Sequence, residues 1–261
     1  MKHFLFFLIT ISGMLASQWV FSQYRTEDPL NDLKSTETVE RWSGDQPDYL
    51  AAVKKELNSK WPNNRTINLV FHGHSVPAGY WHNSEVHTLD SYPNLVLTRL
   101  KEIYPHAVIN VIITAIGGEY AEQGQLRLKT DVLPHKPDVL FIDYALNDIG
   151  TGLERSRVAW EKMIAEAVKA NIPVILMTPS PDQRQDILTL EGPLVRHAQQ
   201  IRELAGKYHV GLADPFKEFQ RIAREEGSIE SYMSHVNHPN RKGHEIIANE
   251  IKAWFLPDQK N

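Results

Sequence analysis

Short apolar runs alternate along this chain with longer stretches whose apolar residues recur at helical spacing, and that alternation narrows the possible folds more than any other feature. The runs cover residues 67–71, 107–114, 139–144, 172–177 and 210–213. They are short and largely aliphatic, with β-branched residues prominent in most, which is the pattern of strands buried on both faces. Helical patterns occupy 49–61, 94–104, 155–170, 194–208, 215–226 and 241–255. In the first of these the stripe is Leu50, Val53, Leu57 and Trp61, and Pro62-Asn63-Asn64 ends it. Strands separated by helices require right-handed crossovers and hence a parallel sheet covered on both sides. The expectation is an α/β protein: a three-layer α/β/α domain over 49–261, with about five parallel strands in flavodoxin-like order.

In such a sheet ligands bind just beyond the carboxyl ends of the strands, so the residues following each apolar run are the ones to inspect. After the first run comes His72-Gly73-His74-Ser75-Val76-Pro77-Ala78-Gly79-Tyr80. Its glycines permit a tight turn and close approach of a substrate to the serine. After the second come Gly117 and Gly118, which can aim a backbone N–H into a cleft. After the third come Asn147 and Asp148, where an asparagine amide can donate to an oxyanion or cap the next helix. The fourth ends in Thr178-Pro179-Ser180-Pro181-Asp182, and the last helix is preceded by Ser234-His235-Val236-Asn237-His238-Pro239-Asn240, with Gly243 and His244 beyond.

Taken together, these segments resemble the SGNH (GDSL-type) hydrolase family, whose four blocks supply a serine, a glycine, an asparagine and a histidine. Ser75, Gly118, Asn147 and His238 match them in order, and the set is similar to an exported bacterial branch with GHSVPAGY in the first block and NHPNxxGH in the last. The resemblance implies an ester hydrolase in which His238 takes the proton of Ser75 during attack on a carbonyl. It also implies that the N–H groups of Ser75 and Gly118 and the side-chain amide of Asn147 receive the oxyanion. The α/β-hydrolase elbow, Gly-x-Ser-x-Gly, is the nearest rival, but Pro77 stands where its second glycine belongs and Ser75 follows the first strand rather than a later one.

Two positions depart from the family pattern. The aspartate usual before the nucleophile is His74, and the aspartate usual three residues before the catalytic histidine is His235. Without that second carboxylate the machinery is a Ser-His dyad or recruits an acid elsewhere, for which Asp182 is the candidate, as ring support or substrate contact. His235 is a second candidate for that place, and His74, Tyr80 and Trp81 are candidate substrate contacts. The two aromatics form a floor for a sugar ring or simply pack the core. His72, His74, His82 and His235 lack the spacing of a metal site, so no metal and no cofactor is expected. Glu119 and Glu122 read as solvated residues on a helix face, and His244 as a capping or packing residue.

The amino terminus bears on location. Lys2 and His3 precede an apolar run over 4–16 that is short for a membrane span, the pattern of a signal peptide over 1–22 cleaved after Ser22. A polar lead-in over 23–48 follows. An exported, periplasmic or secreted protein is therefore expected, with no stable membrane insertion after cleavage. There is no cysteine, which excludes a lipobox anchor and disulfides. The net charge of −4 and the scattered Lys and Arg exclude the basic stripe of nucleic-acid binding. The expected partner is a small-molecule or glycan ester, with removal of acetyl groups from carbohydrate as the main reading. A lipid or aryl esterase is the alternative, and a non-catalytic carbohydrate-binding protein of the same fold the alternative from another class.

Overall fold

The computed structural model describes residues 49–257; the expected signal peptide and polar lead-in lie outside the described residues. Five parallel strands form one sheet: β1 (Thr66–Gly73), β2 (Val108–Ile113), β3 (Val139–Asp143), β4 (Val174–Met177) and β5 (Gly211–Ala213). Their order is β2-β1-β3-β4-β5, the flavodoxin-like arrangement expected from the alternation. The helices are α1 (Ala51–Leu57), α2 (Ser75–Ala78), α3 (Tyr92–Ile103), α4 (Ala121–Arg127), α5 (Leu153–Lys169), α6 (Pro193–Tyr208), α7 (Pro215–Glu226) and α8 (Arg241–Ala253).

The pleat decides which residues face which helices, because neighbouring side chains on a strand point to opposite sides. Phe71 and Phe141 are paired in register across β1 and β3, and their rings stack 4.3 Å apart. Phe71 then meets Tyr92 of α3, and Phe141 meets Phe255 just after α8. One residue further along, the direction reverses. His72 contacts Tyr144, and Tyr144 contacts Trp160 of α5. Helices α3 and α8 therefore cover one face while α5, packed against α4 and α6, covers the other. Each buried phenylalanine contributes about 1.5–3 kcal/mol by leaving water, so this double cover accounts for much of the core.

Three expectations need correction. The helix at 49–61 is only α1, and Trp61 lies beyond it, 85% exposed, so the stripe ends at Leu57. The run at 107–114 is an edge strand, half-exposed along its length, because only β1 pairs with it. Helix α4 begins only at Ala121, so of the two glutamates expected on a helix face Glu122 lies on it and Glu119 does not, and the helix carries Gly124 in its interior.

That glycine has a packing reason. Glycine inside a helix is less favourable than alanine by about 1 kcal/mol. A Cβ at residue 124 would lie 2.6 Å from Cε2 of Tyr144 and closer still to Cζ and Oη, and the Tyr144 ring is fully buried and hydrogen-bonded at its tip. Overpacking of this kind costs about 1–3 kcal/mol, which exceeds the propensity gain. Gly124→Ala is therefore expected to lower Tm by several degrees in a thermal melt; an unchanged or raised Tm would show that Tyr144 moves freely.

Candidate active site

All the strand ends point the same way, and the loops that leave them carry the chemistry-bearing residues. At the end of β1 the chain turns sharply: a Cβ on Gly73 would lie 2.5 Å from the Asp143 carbonyl, so only glycine lets β1 run this close to β3. Ser75 opens the single-turn helix α2, which closes at Gly79, where φ is +90° and the left-handed conformation favours glycine. His74 caps α2, its Nδ1 accepting from the Val76 N–H at 3.3 Å. That assignment leaves the proton on Nε2, which faces Oδ1 of Asp143 at 3.5 Å. Asp143 in turn accepts from the Tyr92 hydroxyl at 3.0 Å. His74 is wholly buried by these contacts, so the expectation that it touches substrate is corrected: its ring shapes the turn from behind.

His238 arrives from the opposite end of the chain on a loop that folds back on itself. Its carbonyl accepts from Ser234 N–H at 2.9 Å and His235 N–H at 3.2 Å, and Asn240 caps α8 by accepting from Gly243 N–H at 3.2 Å. A Cβ at Gly243 would collide with the Tyr232 carbonyl, which explains the glycine. His244 does cap, as expected: its Nδ1 accepts from the Tyr92 N–H at the start of α3, at 3.3 Å. Held this way, His238 places Nε2 3.0 Å from Ser75 Oγ.

The other side of the ring is unusual. His238 Nδ1 is buried and has no hydrogen-bond partner. Asp182 is not that partner, because both its carboxylate oxygens are taken by Arg184. Burial pushes the Asp182 carboxyl up, yet the Arg184 hydrogen bonds outweigh it and hold it below its ordinary range. His235 does not supply an acid either; its exposed ring stacks on His238 with centroids 5.8 Å apart. Burial, followed by the charges of His235 and His74, lowers the His238 pKa to about 4.

Across from the pair, Gly118 has φ +80°, a conformation that strains any other residue. Among the described residues neither the Ser75 N–H nor the Gly118 N–H has an acceptor in a hydrogen bond. Asn147, in the 3-10 turn Asn147–Gly150, donates through Nδ2 to the Glu119 carbonyl at 2.7 Å. A carbonyl only accepts, so the amide orientation is fixed and one Nδ2 hydrogen remains unused. Asp148 ties the same two loops together from below: it accepts from Ala121 N–H at 2.8 Å and from Trp160 Nε1 at 2.6 Å. Burial raises the Asp148 pKa to about 6.

The aromatics flank this arrangement. Tyr80 lies against Gly117, where a Cβ would come within 2.9 Å of its ring, and its ring stacks beside His238 with centroids 6.3 Å apart. Trp81 is half-buried and stacks on His87 at 4.4 Å. His72 is buried between Thr114, Gly124 and Tyr144. Glu119 is not solvated, as had been expected, but locked in an ion pair with Arg127, while Glu122 pairs with Arg155 on the surface. Sequence reasoning named Glu119 without a partner and passed over Arg127, because their pairing joins a loop to a helix residue eight positions on, a spacing with no local signature. Among the described residues no three His, Cys, Asp or Glu side chains gather as a metal site would need, and no helix is long and apolar enough to cross a membrane.

Comparison with known proteins sets this geometry in context. The model of the GDSL-like Lipase/Acylhydrolase family matches residues 71–246, a span that holds Ser75, Gly118, Asn147 and His238. Solved structures of similar fold include a two-domain esterase (CEX) active on acetylated mannans, at TM-score 0.63 and 18% identity, covering 78% of this chain and 51% of that one. This chain thus spans about half the length of that protein. The acetylxylan esterase Axe2 from Geobacillus stearothermophilus matches at TM-score 0.61 and 20% identity, covering 74% of this chain and 95% of its own. A putative GDSL-like lipase from Parabacteroides merdae matches at TM-score 0.62 and 18% identity, covering 76% and 99%. No curated protein matches the sequence. At such identities the solved structures speak for the fold, and the family model, which takes in most of the chain, shows that it belongs to the GDSL-like lipase/acylhydrolase family and is a hydrolase of ester bonds.

Proposed function

We propose that this chain is an exported serine esterase that removes acetyl or similarly small acyl groups from a carbohydrate by a Ser-His mechanism. The observation that carries the reading is the 3.0 Å contact between His238 Nε2 and Ser75 Oγ. As Ser75 Oγ attacks the ester carbonyl carbon, its proton passes to Nε2 and the carbonyl π electrons move to oxygen. The Ser75 and Gly118 N–H groups and the free Asn147 Nδ2 hydrogen then meet that oxyanion. Collapse breaks the bond to the alcohol oxygen, which takes the proton from His238 and leaves an acyl-serine. Water, giving a proton to the same imidazole, attacks the acyl carbon; collapse breaks the bond to Ser75 Oγ, which takes that proton back from His238, and the acid leaves and ionises to carboxylate.

For the substrate class, support comes from the Tyr80 ring beside the pair and from the neighbours whose titles name acetylated mannans and acetylxylan. For export, support comes from the amino-terminal pattern of Lys2, His3 and the apolar run that follows.

Ser75→Ala is expected to abolish acetate release from acetylated xylan or mannan, measured enzymatically. Good turnover of long-chain 4-nitrophenyl esters with no acetate from any acetylated glycan would overturn the substrate class. Asn147→Ala removes one oxyanion donor, worth about 3 kcal/mol, so kcat on 4-nitrophenyl acetate should fall about a hundredfold.

The base must be neutral to accept the proton, and burial holds the His238 pKa at about 4. The profile of kcat/KM against pH should therefore stay level through the neutral range and fall only as pH drops through about 4. His235→Asp places a carboxylate beside the ring; by favouring the imidazolium it should move that acidic limb up by about one to three pH units. A wild-type limb near the ordinary histidine value, unmoved by the substitution, would contradict the account.

A further inference from the structure

Beneath the Gly118 turn runs a buried polar chain that the Ser-His mechanism does not use. Arg127, the last residue of α4, donates from Nε to both oxygens of Glu119, each at 2.9 Å, and from Nη2 to Glu119 and to the Tyr144 hydroxyl, the latter at 3.2 Å. The Tyr144 hydroxyl lies 3.2 Å from His72 Nε2 and 3.4 Å from Glu119 Oε2. The Gly124 carbonyl, 3.0 Å from the same Nε2, can only accept, so that nitrogen carries the proton and Nδ1 accepts from Thr114 Oγ1 at 2.9 Å. Burial, the largest influence on this ring, lowers its pKa to about 4 and keeps it neutral.

What this chain holds is the residue next to Gly118. No heavy atom lies within 4 Å of where a Gly118 Cβ would be, so packing from outside does not keep the turn in its left-handed conformation. On the amino side the Ile116 N–H donates to the Gly73 carbonyl at 3.0 Å and Gly117 lies against Tyr80; on the carboxyl side the restraints fall on Glu119. Its N–H donates to the Ile116 carbonyl at 3.3 Å, its carbonyl accepts from Asn147, and its carboxylate is gripped by Arg127. The Glu119 and Arg127 side chains are only 12% and 13% exposed, so solvent screens the pair weakly, and a Glu119 left without Arg127 would be drawn toward water. Such a displacement would carry with it both the Gly118 N–H and the carbonyl that orients Asn147.

From this we propose that Arg127, acting through Glu119, is the positioning residue of the oxyanion-binding loop. The proposal rests on the Ser-His esterase reading above and adds to it two residues that touch no reacting atom. Its consequence is specific: loss of the grip should weaken transition-state stabilisation while leaving ground-state binding intact.

The test is a double-mutant cycle on 4-nitrophenyl acetate. Arg127→Met is expected to lower kcat about tenfold with KM within about twofold, and to lower it only about threefold in an Asn147→Ala background, because the part of the loss that runs through Asn147 is then already gone while the part that runs through the Gly118 N–H remains. Arg127→Lys, which keeps the charge without the two-point grip, should fall between. Glu119→Gln preserves volume and runs the same cycle should Arg127→Met fail to fold, with an expected loss of about threefold that again shrinks in the Asn147→Ala background. Equal fold-losses in both backgrounds, or a rise in KM with kcat unchanged, would overturn the proposal. Failure of the esterase reading is read separately: it would appear as Ser75→Ala retaining activity, whatever Arg127 does.

Discussion

The register of β1 against β3 is the constraint from which the site follows. Gly73 pairs with Asp143, and the missing Cβ allows the two strand ends to meet. That pairing sends Phe71, Phe141 and Asp143 toward α3 and α8, and His72 and Tyr144 toward α4 and α5. A slip of one residue would exchange the faces and bury the wrong set. With the register fixed, Ser75 emerges at the middle of the sheet with a histidine packed behind it on each side, His74 against Asp143 and His72 against Tyr144. Two polar networks thus back the nucleophile, one under each layer of helices.

The electrostatics of the catalytic pair depart from the usual triad. In a triad a carboxylate orients the imidazole and stabilises it once protonated. Here Nδ1 of His238 is buried without a partner, the nearest ring is another imidazole, and Asp182 is held by Arg184. The base is therefore weak but neutral over a wide pH range. A weak base suits an ester, whose alcohol leaves more readily than an amine, and it shifts more of the demand for rate onto the oxyanion donors. Charge that a triad would place on the histidine's partner is found here beneath the Gly118 loop, in the Glu119–Arg127 pair.

The amino-acid sequence by itself determined the layer architecture, the strand order and the four family positions. Apolar runs and helical stripes are local patterns, and turn glycines such as Gly73 and Gly79 carry their conformational meaning wherever they fall. For the same reason the boundaries of α7 came out as expected, and His244 was legible as a capping residue. Only the tertiary structure decided which charges meet. The substitution of histidine at 235 was visible, but not that Arg184 would engage both oxygens of Asp182 and that His238 Nδ1 would be left without a partner. The burial of His74, the grip of Arg127 on Glu119 and the contact of Gly124 with Tyr144 all join residues from different elements. Such contacts are set by the crossing of packed helices over a pleated sheet, a geometry in which separation along the chain carries no information about separation in space.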